Sequence, residues 1–242
     1  QFLLWCARER CDAQQVQGSF AGAMGLPQFM PGSLNRWAVD FDGDGHVNLA
    51  GSAADIVYAG ADNDSVYGMG GADVLLGEDG ADNIFGDGIQ PEDGQPTRNY
   101  TPLDAHGNDL IDGGAGNDSL SGQGGDDEIY GGADDDKLWG DDTADHASDT
   151  PLALHGNDLL DGGVGQDTLL GGGRDDALWG GIGNDELYGD GGGNYPGSVL
   201  YLAPEVHGDD WLDGGAGSDS LRGDGGRDTC IAWELRNSSC EA

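Results

Sequence analysis

G-G-A-G-N-D-S-L-S, residues Gly113 to Ser121, decides how this chain is read. Its form is G-G-x-G-x-D-x-U-x, with U a large apolar residue, and copies follow one another at a step of nine. The Asp of position six falls at Asp55, Asp64, Asp73 and Asp82, then at Asp109, Asp118, Asp127 and Asp136. It returns at Asp158, Asp167, Asp176 and Asp185, and finally at Asp210, Asp219 and Asp228. Position eight is apolar throughout: Val57, Val66, Leu75, Ile84, Ile111, Leu120, Ile129, Leu138, Leu160, Leu169, Leu178, Leu187, Leu212, Leu221 and Cys230. Glycine at positions one, two and four admits turn dihedrals that other residues resist. The x-U-x segment is a short strand whose middle side chain points to one face. Two such strands joined by two turns form one coil of a flattened, right-handed solenoid, and stacked coils enclose a thin core between two parallel sheets. A flexible Gly-rich linker shares the composition, but it has no reason to keep an apolar column at a fixed period.

The period lengthens at three places, between Asp82 and Asp109, Asp136 and Asp158, and Asp185 and Asp210. Each insertion falls between a Gly-Asp (Gly86-Asp87, Gly140-Asp141, Gly189-Asp190) and a His-Gly (His106-Gly107, His155-Gly156, His207-Gly208). From Asp109 onward the insertions recur every four nonapeptides, or two coils, so they project as loops from one edge. Asp87, Asp141 and Asp190 are candidate extra ligands at the loop roots, and the repeated His is read as a loop anchor. Position nine faces outward in this scheme. It holds Tyr58, Tyr67, Phe85, Tyr130, Trp139, Trp179 and Tyr188, either as an ordinary sheet surface or as a platform for sugars.

Across 242 residues there are 46 acidic and 9 basic side chains, a net charge of -37. Such a charge marks a disordered tail or a fold that waits for cations, and the periodic apolar residues favour the second. Nucleic acid and anionic membrane surfaces would be repelled, and no apolar run approaches a membrane span. Gln1 to Cys6 has no basic leader or cleavage site, and the absence of an initiator Met suggests an excised or incomplete product. Cys6 and Cys11 are read as free thiols. Cys230 and Cys240 are placed to form a disulfide that closes the end of the stack.

One large apolar side chain per nine residues is too little to offset the ordering of those nine. Sheet hydrogen bonds and metal must supply the rest. The regular carboxylates suit calcium, which takes six to eight hard oxygen ligands. Turns on one side recur every second nonapeptide, so Asp118 with Asp136, Asp109 with Asp127, Asp158 with Asp176, and Asp167 with Asp185 share a row. Residues 55–231 therefore resemble the RTX, or haemolysin-type, calcium-binding nonapeptide repeat family. The resemblance implies a calcium-binding β-roll that leaves a bacterial cell unfolded and folds outside it.

The first 55 residues differ in kind. Gln1 to Gln17 has helical spacing, with Phe2, Leu3, Cys6 and Ala7 on one face. Gly18 to Ser33 reads G-S-F-A-G-A-M-G-L-P-Q-F-M-P-G-S and leads into A-V-D-F-D-G-D-G-H-V-N-L, Ala38 to Leu49. This stretch resembles the membrane-bound lytic murein transglycosylase B family. By motif position the resemblance implies that Ser19 and Gln28 contact a peptidoglycan substrate. That family's catalytic Glu stands in an E-T-x-x-G motif, which this chain lacks, and glycan cleavage needs a positioned carboxylic acid. No transglycosylase activity is expected. Asp40, Asp42, Asp44 and His46 occupy positions one, three, five and seven of an EF-hand-like calcium loop, with Gly45 at its turn. Position twelve is Gly51, and Asp55 fits the later place of the closing carboxylate.

The sequence thus predicts a mostly β protein, a right-handed parallel β-roll with a short α-helical N-terminal segment. Its parts are a transglycosylase-like piece (1–55), a roll (56–231) with loops at about 87–106, 141–155 and 190–207, and a C-terminal cap (232–242). The expected role is a secreted or cell-surface structural or adhesive module. A tail on a murein-degrading enzyme and a glycan-binding module are the alternatives.

Overall fold

The computed structural model describes residues 37–40, 54–88, 101–141, 150–190, 206–231 and 237–239. The N-terminal helix expected over 1–17 lies outside them, as do Cys6 and Cys11. Successive nonapeptides alternate between two sheets. Leu120 sits in the strand Ser119–Ser121, which pairs with Asn83–Phe85 and Lys137–Trp139. Ile129 sits in Glu128–Ala133, which pairs with Leu110–Ala115 and Leu159–Val164. The result is a nine-stranded and an eight-stranded sheet. Among the described strands every pairing is parallel except the first, where Trp37–Asp40 runs antiparallel to Asp55–Ala61 and sets Asp40 opposite Asp55.

Position eight meets position eight at every step, with or without an insertion between the strands. Leu169 lies opposite Leu187 within the regular period and opposite Leu138 across a loop. These side chains form the core, and Leu75, Ile111, Leu138, Leu178 and Leu212 are among those fully buried. Each burial contributes about 2 kcal/mol. Because side chains alternate along a strand, positions seven and nine turn to the outer faces.

On the eight-stranded sheet the position-nine aromatics lie on the outer face but are covered, where the sequence pattern predicts an exposed surface. Phe85, Trp139 and Tyr188 are buried. The shared register sets these side chains two strands apart, with Ser121 and Leu170 at the same position on the strands between. Trp139, Leu170 and Tyr188 form a second apolar cluster, and the Tyr67 and Phe85 rings stack 5.0 Å apart. On the nine-stranded sheet Tyr58, Tyr130 and Trp179 are half-buried, with Trp179 tilted against Trp211 at 4.8 Å.

The chain does not stop pairing at the last nonapeptide. Asn237–Ser239 adds a parallel strand beside Ser220–Arg222. Cys230 packs half-buried against the core and is disulfide-bonded. Cys240, its expected partner, lies outside the described residues.

Candidate metal centre

The position-six carboxylates line the two edges where the chain turns between sheets. Their Oδ1 atoms make two continuous ladders, each accepting the backbone N–H of the corresponding Asp one coil earlier. On the edge that carries the insertions, Asp55 donates to Asp73 (2.6 Å), Asp73 to Asp109 (2.8 Å), Asp109 to Asp127 (2.7 Å) and Asp127 to Asp158 (2.8 Å). Asp158, Asp176 and Asp210 continue the ladder to Asp228. On the opposite edge Asp64, Asp82, Asp118, Asp136, Asp167, Asp185 and Asp219 do the same. The pairs expected to share a row are therefore neighbours on these ladders.

The second carboxylate oxygen is the informative one. Oδ2 of Asp73, Asp109, Asp118, Asp127, Asp136, Asp158, Asp167, Asp176, Asp185, Asp210 and Asp219 is buried without a hydrogen-bond partner. Each lies over the position-one glycine of its own turn and, in every case but the last, Asp219, beside the carbonyl oxygen of the position-one glycine on the next coil. A Cβ built on Gly131 would meet Asp136 Oδ2 at 2.6 Å and Gly162 O at 2.6 Å; on Gly180 it would meet Asp185 Oδ2 at 2.6 Å and Gly214 O at 2.8 Å. From Gly68 to Gly189 position one is glycine because two oxygens occupy the space a side chain would take; Ala59, in the Asp64 turn, is the exception.

Leaving a buried carboxylate oxygen unmatched is costly. In the metal-free fold, burial pushes Asp73, Asp136 and Asp210 up to about 8, Asp185 to about 7, and Asp118 and Asp167 to about 6. Asp109, Asp127, Asp158 and Asp176 are raised strongly in the same direction by burial, with neighbouring carboxylates adding to it. These groups are short of positive charge. Among the described residues no three His, Cys, Asp or Glu side chains converge on one point. Each cradle instead combines one carboxylate with backbone oxygens. That donor set suits a hard cation such as calcium and does not suit zinc, which takes nitrogen and sulfur.

The loop roots hold a different device. His106 Nδ1 lies 2.6 Å from Asp87 Oδ2, and His155 Nδ1 lies 2.8 Å from Asp141 Oδ2, with all four side chains buried. His207 and Asp190 repeat the pair at 3.4 Å. Asp141 also accepts the N–H groups of Gly156 (3.1 Å) and Gly173 (2.9 Å), and Asp190 those of Gly208 (3.0 Å) and Gly225 (2.9 Å). Two of the three Asp residues proposed from sequence as extra calcium ligands, Asp141 and Asp190, thus have their oxygens facing His and backbone N–H. The returning limbs are docked too. Thr101 donates to the Met69 carbonyl (2.6 Å), and Ala105 O accepts the Gly71 N–H (2.9 Å).

Sequence reasoning passed over two features. Position five, a free x in the motif, builds a third kind of ladder. Its Oδ1 accepts the N–H of the next coil: Asn108 from Asp126 (3.1 Å), Asp126 from Asn157 (2.8 Å), Asp175 from Asp209 (2.7 Å) and Asp209 from Arg227 (2.9 Å). The signal was the run of Asn and Asp at that position. Position two keeps its left-handed turn even without glycine, at Met69, Glu78, Gln123 and Asp224, because stacked coils impose the conformation. Of the other sequence candidates, Ser19, Gln28, Asp42, Asp44 and His46 lie outside the described residues. For Asp40 only the backbone pairing to Asp55 is on view.

Two parallel sheets, glycine turns and rows of half-satisfied carboxylates define a cation-binding repeat solenoid. The RTX calcium-binding nonapeptide repeat model matches residues 49–88, 107–138, 154–169, 161–196 and 208–234, more than half of the chain. The chain belongs to the RTX calcium-binding nonapeptide repeat family. Residues 1–63 match the Transglycosylase SLT domain model. A segment of 48 residues is 58% identical to membrane-bound lytic murein transglycosylase B of Escherichia coli (strain K12), covering 20% of this chain and 13% of that protein. No solved structure gives a significant match.

Proposed function

We propose that this chain is a secreted or cell-surface module that folds as calcium fills its cradles and then serves as a structural or adhesive element. The observation that carries this reading is the row of buried Asp Oδ2 atoms, which from Asp73 to Asp210 lie beside a glycine carbonyl of the next coil. In this reading each position-six Asp, from Asp55 to Asp228, supplies one ligand oxygen. Asp40, Asp42, Asp44 and the His46 carbonyl form a separate loop site closed at Asp55. The domain division is the one read from sequence: 1–55, the roll to 231, and a tail in which Cys230 pairs with Cys240. Residues 1–242 contain no E-T-x-x-G motif, so on this reading these residues by themselves do not cleave glycan. The test is a calcium titration of chelated protein at neutral pH, followed by calorimetry and far-UV circular dichroism. Calcium should bind at several sites per chain and bring in the strand signal, while magnesium should not. A chain that binds no calcium, or whose strand content ignores it, would refute the reading. Clearing of purified cell walls by this chain would refute its non-catalytic part.

One observation favours glycan contact as a second property. Position nine of five neighbouring strands in the nine-stranded sheet reads Asp112, Tyr130, Asp161, Trp179, Asp213, in register and at least partly exposed. The two aromatics are two strands apart, about 10 Å, close to the length of a disaccharide in an extended glycan. Aromatic faces stack on sugar rings, and the flanking carboxylates accept hydroxyl hydrogens. Co-sedimentation with insoluble peptidoglycan should fall on Trp179→Ala, and no sedimentation by the intact protein would remove this reading.

A further inference from the structure

The two edges are built differently although their ligand sets are alike. On the looped edge the root residues Asp141 and Asp190 each hold the backbone just ahead of two successive cradle carboxylates. Asp141 takes the N–H of Gly156, two residues before Asp158, and of Gly173, three before Asp176. Asp190 takes the N–H of Gly208, two before Asp210, and of Gly225, three before Asp228. The paired His closes each rivet from the loop side, and His155 also sets Nε2 3.3 Å from the Thr150 carbonyl. The loop limbs also make the coil-to-coil main-chain bond that both edges share. Leu154 O accepts from Gly125, two before Asp127, and Val206 O from Arg174, two before Asp176.

Among the described residues the plain edge has no Asp–His rivet of this kind. Its turns are joined through main-chain bonds such as Gly116 to Ala133 O (3.0 Å) and Gly165 to Ile182 O (2.9 Å). Its outermost side chains, Val164 and Ile182, are 51% and 62% exposed.

We infer that His106–Asp87, His155–Asp141 and His207–Asp190 are positioning pairs that pre-form the cradles of the looped edge, making it the tight calcium row that fills first. The inference rests on the reading that position-six Asp residues are the calcium ligands. An ion entering a cradle whose turns are already fixed does not have to order them, so its apparent affinity is higher. On the plain edge the ion must itself bring successive turns together. The three pairs act through backbone placement and leave the ligand oxygens untouched.

The test is a calcium titration of the full chain, resolved into affinity classes by calorimetry and by competition with a chelating dye. The unmodified chain should show a tight and a weaker class. His155→Ala with His207→Ala should weaken the tight class at least tenfold and leave the weaker one in place. Asp118→Asn, on the plain edge, should remove sites from the weaker class alone. His207→Ala by itself serves as the milder variant, since its ring is already 22% exposed. A single class in the unmodified chain, or an equal loss in both classes on removing the His, would overturn the inference. If neither Asp118→Asn nor Asp176→Asn lowers the number of ions bound, the ligand assignment itself falls, an outcome separable from loss of the two-class behaviour.

Discussion

Removing calcium should make the fold depend on acid. In the metal-free roll the carboxyls of Asp73 and Asp210 titrate at about 8 because burial disfavours their charged form, whereas an unfolded Asp titrates near 3.9. Between those limits the folded chain holds protons that the unfolded chain has released. The difference in bound protons, unfolded minus folded, is therefore negative, and stability falls as pH rises. It is fully present below about pH 4 and is lost through pH 8. Each such group changes stability by about 1.4 kcal/mol per pH unit, so these two together change it by about 3. Asp109, Asp127, Asp158 and Asp176 act in the same direction. A domain has only about 5 to 15 kcal/mol in total, so one or two pH units should decide the state of the chelated chain. The assay is far-UV circular dichroism in excess chelator from pH 4.5 to 8. Strand signal should be retained at the acid end, disappear near neutrality and return on adding calcium at pH 7.5. A signal that is flat across this range, or that weakens on acidification, would refute the argument that the cradle carboxylates lack a positive partner.

Further tests address single positions. Gly131→Ala places a Cβ 2.6 Å from both Asp136 Oδ2 and Gly162 O, and calcium-loaded protein carrying it should lose one ion and melt several degrees lower. Leu178 is fully buried, so Leu178→Ala should cost about 2 to 5 kcal/mol, read as a melting point lower by roughly 10 °C in calcium. The short loop that a Cys230–Cys240 bridge would close is worth about 3 kcal/mol. Cys240→Ser should therefore speed amide exchange at Asn237–Ser239, and leave exchange at Leu160 and Leu178 unchanged.

Much of the roll was legible because one periodicity set both the turns and the core. Leu120 at position eight is buried, and Asp118 at position six is on a ladder, for the same nine-residue reason. Legibility failed where a residue's partner is distant in sequence. Asp141 read as a candidate extra calcium ligand at a loop root, since nothing in the chain tells that Gly173, 32 positions on, donates to it. Trp139 read as exposed because alternation within one strand says nothing of Leu170 and Tyr188 on nearby strands. The Asn and Asp at position five looked interchangeable with any polar residue until stacked coils set the N–H of Asp126 against Asn108.

The insertions leave the register untouched, and this has a bearing on descent. Leu138 faces Leu169 across a loop as squarely as Leu169 faces Leu187 without one. Each strand contacts only the coils beside it, the condition for repeat proteins whose units behave independently. Two coils with their loop, such as Asp109 to Asp158, therefore begin and end at the same point of the phrase. A single duplication or deletion of that DNA segment joins sequences that already fit. Ancestors and relatives of this chain can then differ in length by whole double coils, with no intermediate that has to refold.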